Sequence, residues 1–302
     1  MQYRLFKLLS RVVCLLPHAA LLCIGKVLGD LYYLFVGKQR RRAIAHMTRG
    51  LGVSEAEAAR ITKESFRNIG RSFLEILYMP RLNRDNYKNY IEIEHLDRLE
   101  AALAEKHGVV VLTGHVGNWE WLAAGLSFAG LPVTTIVKRQ PNDQHTKLLN
   151  EYRELVGVEV FSRGTTELVG AAKALKKGKL LGFLADQDAG LNGVFVDFLG
   201  APASTPLGPA VFSKRFHSPV VPAFIVRKPD GNHRILILEA LRYEDTGDEE
   251  KDMKELTVKM TRVLESVIRA HPADWLWFQK RWNTTPEEFA AHAAEKARAH
   301  HG

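Results

Sequence analysis

The sequence predicts an α/β fold: a mostly parallel central sheet flanked by helices, with an N-terminal membrane-associating helix. Three observations predict it. Short apolar runs such as Val109-Val110-Val111-Leu112-Thr113 alternate with helix-period segments through residues 109–226. The first 36 residues are greasy and basic, unlike the rest. No Pro- or Ser-rich linker divides the body, so one domain over 38–302 behind an anchoring helix over 1–37 is the simplest organisation.

The N-terminal segment holds the charge excess. The chain has 302 residues and a net charge of +8, and residues 1–49 carry nine bases against the single acid Asp30. The remainder is balanced, so the basicity is a terminal device rather than a nucleic-acid face, and nucleic acid is not an expected partner. The uncharged run 12–25 spans about 21 Å as a helix, short of a bilayer core of about 30 Å. Arg4, Lys7 and Arg11 form one stripe on it, which suits a helix lying on anionic lipid. Lys38-Gln39-Arg40-Arg41-Arg42 then reads as a juxtamembrane cluster on the cytoplasmic side. Cys14 and Cys23 read as apolar filler, and two cysteines exclude a disulfide scaffold or a four-thiolate zinc site.

Ser54 with Glu57 resembles a capping box that opens a helix over 54–78, which Pro80 ends. A second amphipathic helix covers 95–106. Strand 109–113, helix 119–129, strand 133–137, helix 145–155, strand 159–161, helix 166–176 and strand 180–185 follow. A Gly/Pro-rich stretch (190–209) precedes a helix at 210–215, strands at 220–226 and 235–238, and a long helix at 248–270. Residues 290–302 read as a frayed helix.

Ligands of open α/β sheets bind at the carboxyl ends of strands. There stands Gly114-His115-Val116-Gly117-Asn118-Trp119-Glu120. The chain holds two His-x4-Glu pairs, and context separates them. His95 and Glu100 fall on one continuous helix, about 140° apart, and should not meet. At 115–120 the glycines let the backbone turn and Asn118 can cap the next helix, so His115 is expected to bond Glu120. A carboxylate on one imidazole nitrogen leaves the other as a proton acceptor. Arg139, Arg153 and Arg163 follow or flank neighbouring strands, where converging cations suit phosphate or carboxylate groups. Asp186-Gln187-Asp188 ends a strand at the same edge and is read as polar positioning rather than metal binding. There is no G-x-S-x-G elbow, P-loop, G-x-G-x-x-G, zincin motif or C-x-x-C. A base without a protein nucleophile points to direct transfer of a group to a substrate hydroxyl.

At these residues the chain resembles the lipid A late acyltransferases of the lysophospholipid acyltransferase superfamily. The resemblance runs through Gly114–Glu120, Arg139 with Pro141-Asn142, Arg153, Leu175-Lys176-Lys177-Gly178, Asp186-Gln187-Asp188, Val196-Asp197-Phe198-Leu199-Gly200 and the block from Trp275-Leu276-Trp277 to Arg281-Trp282. It implies transfer of a fatty acyl chain from acyl carrier protein to a hydroxyl of a membrane glycolipid, a lipid A precursor, at the cytoplasmic face of the inner membrane, without metal or cofactor. It implies His115 as general base and Glu120 as its orienting acid. Gly117, Asn118, Arg139, Arg153, Asp186 and Gln187 would line the substrate site, with Arg163 beside them. Two departures, Lys138 before Arg139 and Gln279-Lys280 before Arg281, bear on substrate identity rather than reaction type. The rival readings are an acyl-CoA-dependent enzyme for a phospholipid or other glycolipid, and a lipid-binding protein without turnover.

Overall fold

A computed structural model describes residues 2–137, 143–162 and 165–301. Four helices come first: α1 (Gln2–Val13), α2 (His18–Phe35), α3 (Gly37–Leu51) and α4 (Glu55–Tyr78). The alternating core then runs β1 (Ile91–Glu94), α5 (Leu96–Ala104), β2 (Val109–Thr113), α6 (Trp119–Phe128), β3 (Val133–Val137), α7 (Asp143–Leu155), β4 (Glu159–Ser162), α8 (Thr165–Lys176) and β5 (Leu180–Leu184). The chain closes with β6 (Val194–Phe198), β7 (Ala201–Thr205), α9 (Gly208–Phe216), β8 (Val220–Arg227), β9 (His233–Ile237), α10 (Glu249–Ala270) and α11 (Pro286–His301).

Seven strands form one sheet in the order β1-β9-β8-β2-β5-β3-β4. Every pair is parallel except β8 with β9. The fold class is the one the sequence predicts. β2 lies at the centre, and all five of its residues are buried. Val109 and Val111 face a cluster with Trp121 and Leu122 of α6. Val110 and Leu112 face Ala171 and Leu175 of α8 and Met260 of α10 on the other side. A strand covered on both faces has no polar side, so its sequence is a continuous apolar run. Each such side chain contributes about 1.5–3 kcal/mol on burial. Residues Thr113 and Leu184 are paired, so β2 and β5 end together and deliver their following loops to one edge.

The structure departs from expectation in four places. The single N-terminal helix is two helices, broken before Pro17, whose ring removes a backbone donor. The basic cluster 38–42 belongs to α3, which buries Ala43, Met47 and Gly50. β1 precedes the first expected strand. The Gly/Pro-rich stretch contains a separate antiparallel hairpin, β6 with β7.

Candidate active site

The chain turns sharply after β2. Gly117 has φ +59°, and a Cβ there would fall 2.2 Å from the Ile225 carbonyl oxygen, so only glycine fits. Segment 274–276 pins the turn from outside: Gly117 N–H donates to Asp274 O at 2.8 Å, and Leu276 N–H donates to His115 O at 3.1 Å. Asn118 Oδ1 accepts the Trp121 N–H at 3.2 Å and caps α6. Its amide donates to Glu75 Oε2 at 3.0 Å beneath the loop. Glu75 is itself fully buried and paired with Arg227 at 2.8 Å.

His115 is thereby presented at the sheet edge with its side chain 16% exposed. Its Nδ1 lies 2.7 Å from Asp186 Oδ1, and its backbone N–H donates to Asp186 Oδ2 at 2.8 Å. Asp186 is fully buried and also accepts from Trp275 Nε1 at 2.9 Å and Gln279 Nε2 at 3.2 Å. Burial alone would push this carboxyl's pKa up. The His115 ring, the His115 N–H and Trp275 outweigh that and hold it far below the ordinary carboxylate range. An ionised carboxylate only accepts, so Nδ1 carries a proton, and in the neutral ring the lone pair is on Nε2. The Gln187 amide nitrogen sits 3.4 Å from that Nε2.

Trp119 packs edge-on against the imidazole, with ring centroids 4.7 Å apart. It also lines an apolar cavity of about 50 Å³ between α6 and the sheet, together with Thr113, Leu122, Leu126, Val133 and Gly182. A proton acceptor therefore stands beside a hydrocarbon-lined space.

A family model described as bacterial lipid A biosynthesis acyltransferase matches residues 3–284. The chain belongs to this family. As a lipid A biosynthesis acyltransferase family member, it is an acyl-transferring enzyme. Curated relatives agree on the chemistry. The phosphatidylinositol mannoside acyltransferase of Mycobacterium tuberculosis (strain ATCC 25618 / H37Rv) is 28% identical over 72% of this chain and 69% of its own length. The lipid A biosynthesis palmitoleoyltransferase of Escherichia coli (strain K12) is 25% identical over 90% of this chain and 87% of its own. The lauroyltransferase of the same strain is 26% identical over 91% and 89%.

In this family member the expected His115–Glu120 bond is replaced by another arrangement. Glu120 stands in the first turn of α6 and points to α7, where Arg153 Nε and Nη2 hold its two oxygens at 2.8 and 2.5 Å. Asp186 occupies the place expected for Glu120. The physical reason is the sheet: β5 lies beside β2, so a residue 71 positions away reaches the ring before one five positions away. Arg153 is correspondingly not a free cation for a head group. Burial lowers its pKa, but the Glu120 carboxylate outweighs this and raises it. Asn118 is 1% exposed and serves as a cap, and the Gly117 N–H is taken by Asp274, so neither offers the expected substrate contact. Gln187 does stand beside His115, its amide nitrogen 3.4 Å from Nε2. Asp188 is bound to Thr284 at 2.8 Å and braces the C-terminal segment. Arg139 and Arg163 lie outside the described residues. Trp275 and Gln279, which sequence reasoning placed only in a C-terminal block, are donors to Asp186. Gln279 thus belongs to the dyad's support rather than to substrate contacts.

Proposed function

We propose that this enzyme transfers a fatty acyl chain from an acyl thioester, carried by acyl carrier protein, to a hydroxyl of a membrane glycolipid, a lipid A precursor. His115 is the general base and Asp186 its positioning residue. The observation that carries the reading is the ring itself: Nδ1 committed to a buried carboxylate, Nε2 facing outward with the Gln187 amide 3.4 Å away, and an apolar cavity alongside. Nε2 takes the proton of the acceptor hydroxyl as its oxygen attacks the thioester carbonyl. The tetrahedral intermediate collapses, the C–S bond breaks, and the thiolate recovers the proton from the imidazolium. Asp186 stabilises the transient cation, and a general base positioned in this way contributes about 10²–10⁴-fold. The Gln187 amide is placed to donate to the acceptor oxygen. In this reading the acyl chain enters the apolar space between α6 and the sheet, which at about 50 Å³ must widen to hold it.

The E. coli relatives, named for lipid A biosynthesis and aligned over most of this chain, support a lipid A precursor as acceptor; the cytoplasmic face of the inner membrane as the place of action is part of the same proposal. The 28% identity to the mycobacterial enzyme supports a second acceptor, a mannosylated phosphatidylinositol. Incubating purified enzyme with each acceptor, using acyl carrier protein and coenzyme A thioesters in turn, and identifying products by mass spectrometry tests the assignment. New ester on the lipid A precursor with the carrier-protein donor is the expected product. Turnover only with the inositol lipid, or only with coenzyme A, replaces the substrate; ester on neither overturns the reading.

A further inference from the structure

Glu75 is the one charged residue that α4 buries, and the transfer chemistry does not use it. A buried ion pair seldom stabilises a fold better than apolar side chains of the same volume, so its partners carry the information. Arg227, at the end of β8, donates from Nη1 to Oε1 and from Nη2 to Oε2, both at 2.8 Å. His233 Nε2 of β9 lies 3.0 Å from Oε1, and the Asn118 amide donates to Oε2 at 3.0 Å. The Glu75 carbonyl accepts from Trp121 Nε1 of α6 at 2.9 Å. Burial alone would raise the Glu75 pKa; His233 and Arg227 outweigh it and hold the carboxyl well below the ordinary range.

A second branch returns from Arg227 to the same turn. Its backbone N–H donates to Asp274 Oδ2 at 3.2 Å, while Asn68 of α4 donates to Oδ1 at 3.0 Å. The Asp274 carbonyl accepts the Gly117 N–H at 2.8 Å. The circuit therefore closes on neighbouring residues, with Gly117 held through Asp274, Asn118 held through Glu75, and Arg227 joining the two holds. His115 precedes this grip by two residues, and among the described residues none of the three side chains hydrogen-bonds its ring. Resting on His115 as the general base above, we infer that Glu75, Arg227 and Asp274 are positioning residues for acyl transfer. They fix the turn that aims Nε2, and they act only through it.

Asp274 is kept at a cost to the fold. Desolvation pushes its carboxyl up to about 6, against the pull of the Arg227 N–H and guanidinium. A carboxylate that ionises less readily in the fold than in the unfolded chain subtracts from stability at neutral pH. A group that braces the turn and lowers stability marks a trade of stability for activity. Arg227 and Asp274 also line a cavity of about 630 Å³ with Arg71 and His271. His115 is not among its lining residues, so the clamp is separate from the space that serves the chemistry.

The test compares two variants with parent enzyme and His115→Ala on detergent-dispersed lipid acceptor. Glu75→Gln with Arg227→Gln removes both buried charges together and leaves no lone charge of the pair inside. Its kcat should fall about 10–100-fold, because misplacement on the order of 1 Å costs up to about 10²-fold, with KM for the thioester within about twofold of the parent's. Asp274→Asn removes the desolvated charge and leaves one acceptor fewer for the Arg227 N–H and Asn68. Its kcat should fall about tenfold while its Tm stays close to the parent's, the relieved charge offsetting the lost acceptor. A side chain that served stability alone would show the opposite, a lowered Tm with kcat per folded enzyme unchanged. That result for Asp274→Asn overturns the inference, and Asp274→Asn decides if the double variant does not fold. Parental kcat in a folded double variant overturns it as well, as does a raised KM with kcat unchanged, which belongs to a substrate contact. If His115→Ala keeps the parental rate, the general-base reading fails by itself; if His115→Ala is slow and the clamp variants are not, this inference alone fails.

Discussion

Replacing Asp186 with asparagine isolates the contribution of the carboxylate at nearly constant volume. Four donors converge on it, two of them from His115. A hydrogen bond to a charged group contributes about 1.5–3 kcal/mol. At about 1.4 kcal/mol per tenfold, losing the Nδ1 interaction as the imidazolium forms costs roughly 10–150-fold in rate. An asparagine amide nitrogen facing Nδ1 also favours the tautomer with its proton on Nε2, where no base is then available, so the total should approach about 10³-fold. The loss should appear in kcat, with KM for the acyl donor little changed, because Asp186 is buried beneath the ring and touches no substrate. Single-turnover ester formation followed by mass spectrometry measures it. Asp186→Asn enzyme that melts like the parent and retains more than a third of its rate would refute the reasoning.

Glu120→Gln should act through stability: breaking a buried bidentate pair with Arg153 costs about 3–5 kcal/mol, read as a lowered Tm, with a smaller effect on kcat than Asp186→Asn. Gly182→Leu should shorten the preferred acyl chain, since Gly182 lines the apolar cavity, whereas Gly182→Ala meets only ordinary contacts at 3.5 Å and should leave stability unchanged; competition between thioesters of different length reads the first and Tm the second. The depressed Asp186 pKa makes a signed prediction about pH. Its contribution to stability is present above the unfolded value of about 3.9 and is lost as pH falls below it, so Tm should drop on acidification and drop less steeply in Asp186→Asn.

Much of the frame was legible because its signals are local. The buried run 109–113, the Ser54 cap and the stop at Pro80 each depend on neighbours in sequence, and the elements formed where expected. The β6–β7 hairpin was hidden because its turn uses Leu199 at φ +50° before Gly200, where asparagine or aspartate would have signalled it. The dyad was hidden for a different reason. That β5 rather than β3 lies next to β2 is a property of the whole sheet, and it brings Asp186 to His115. His-x4-Glu pointed to the right loop and the wrong carboxylate, because Glu120 begins a helix whose first turn faces Arg153. Asp186 was visible as a polar residue ending a strand; its partners Trp275 and Gln279 come from a segment 89 and 93 residues on, and no local pattern marks them.

Everything proposed for the chemistry converges on the proton taken up by the His115 ring. The most direct measurement is the turnover number of purified His115→Ala on the lipid acceptor, beside parent enzyme of matched Tm. A fall of about 10²–10⁴-fold is the predicted result; transfer at the parental rate would contradict it.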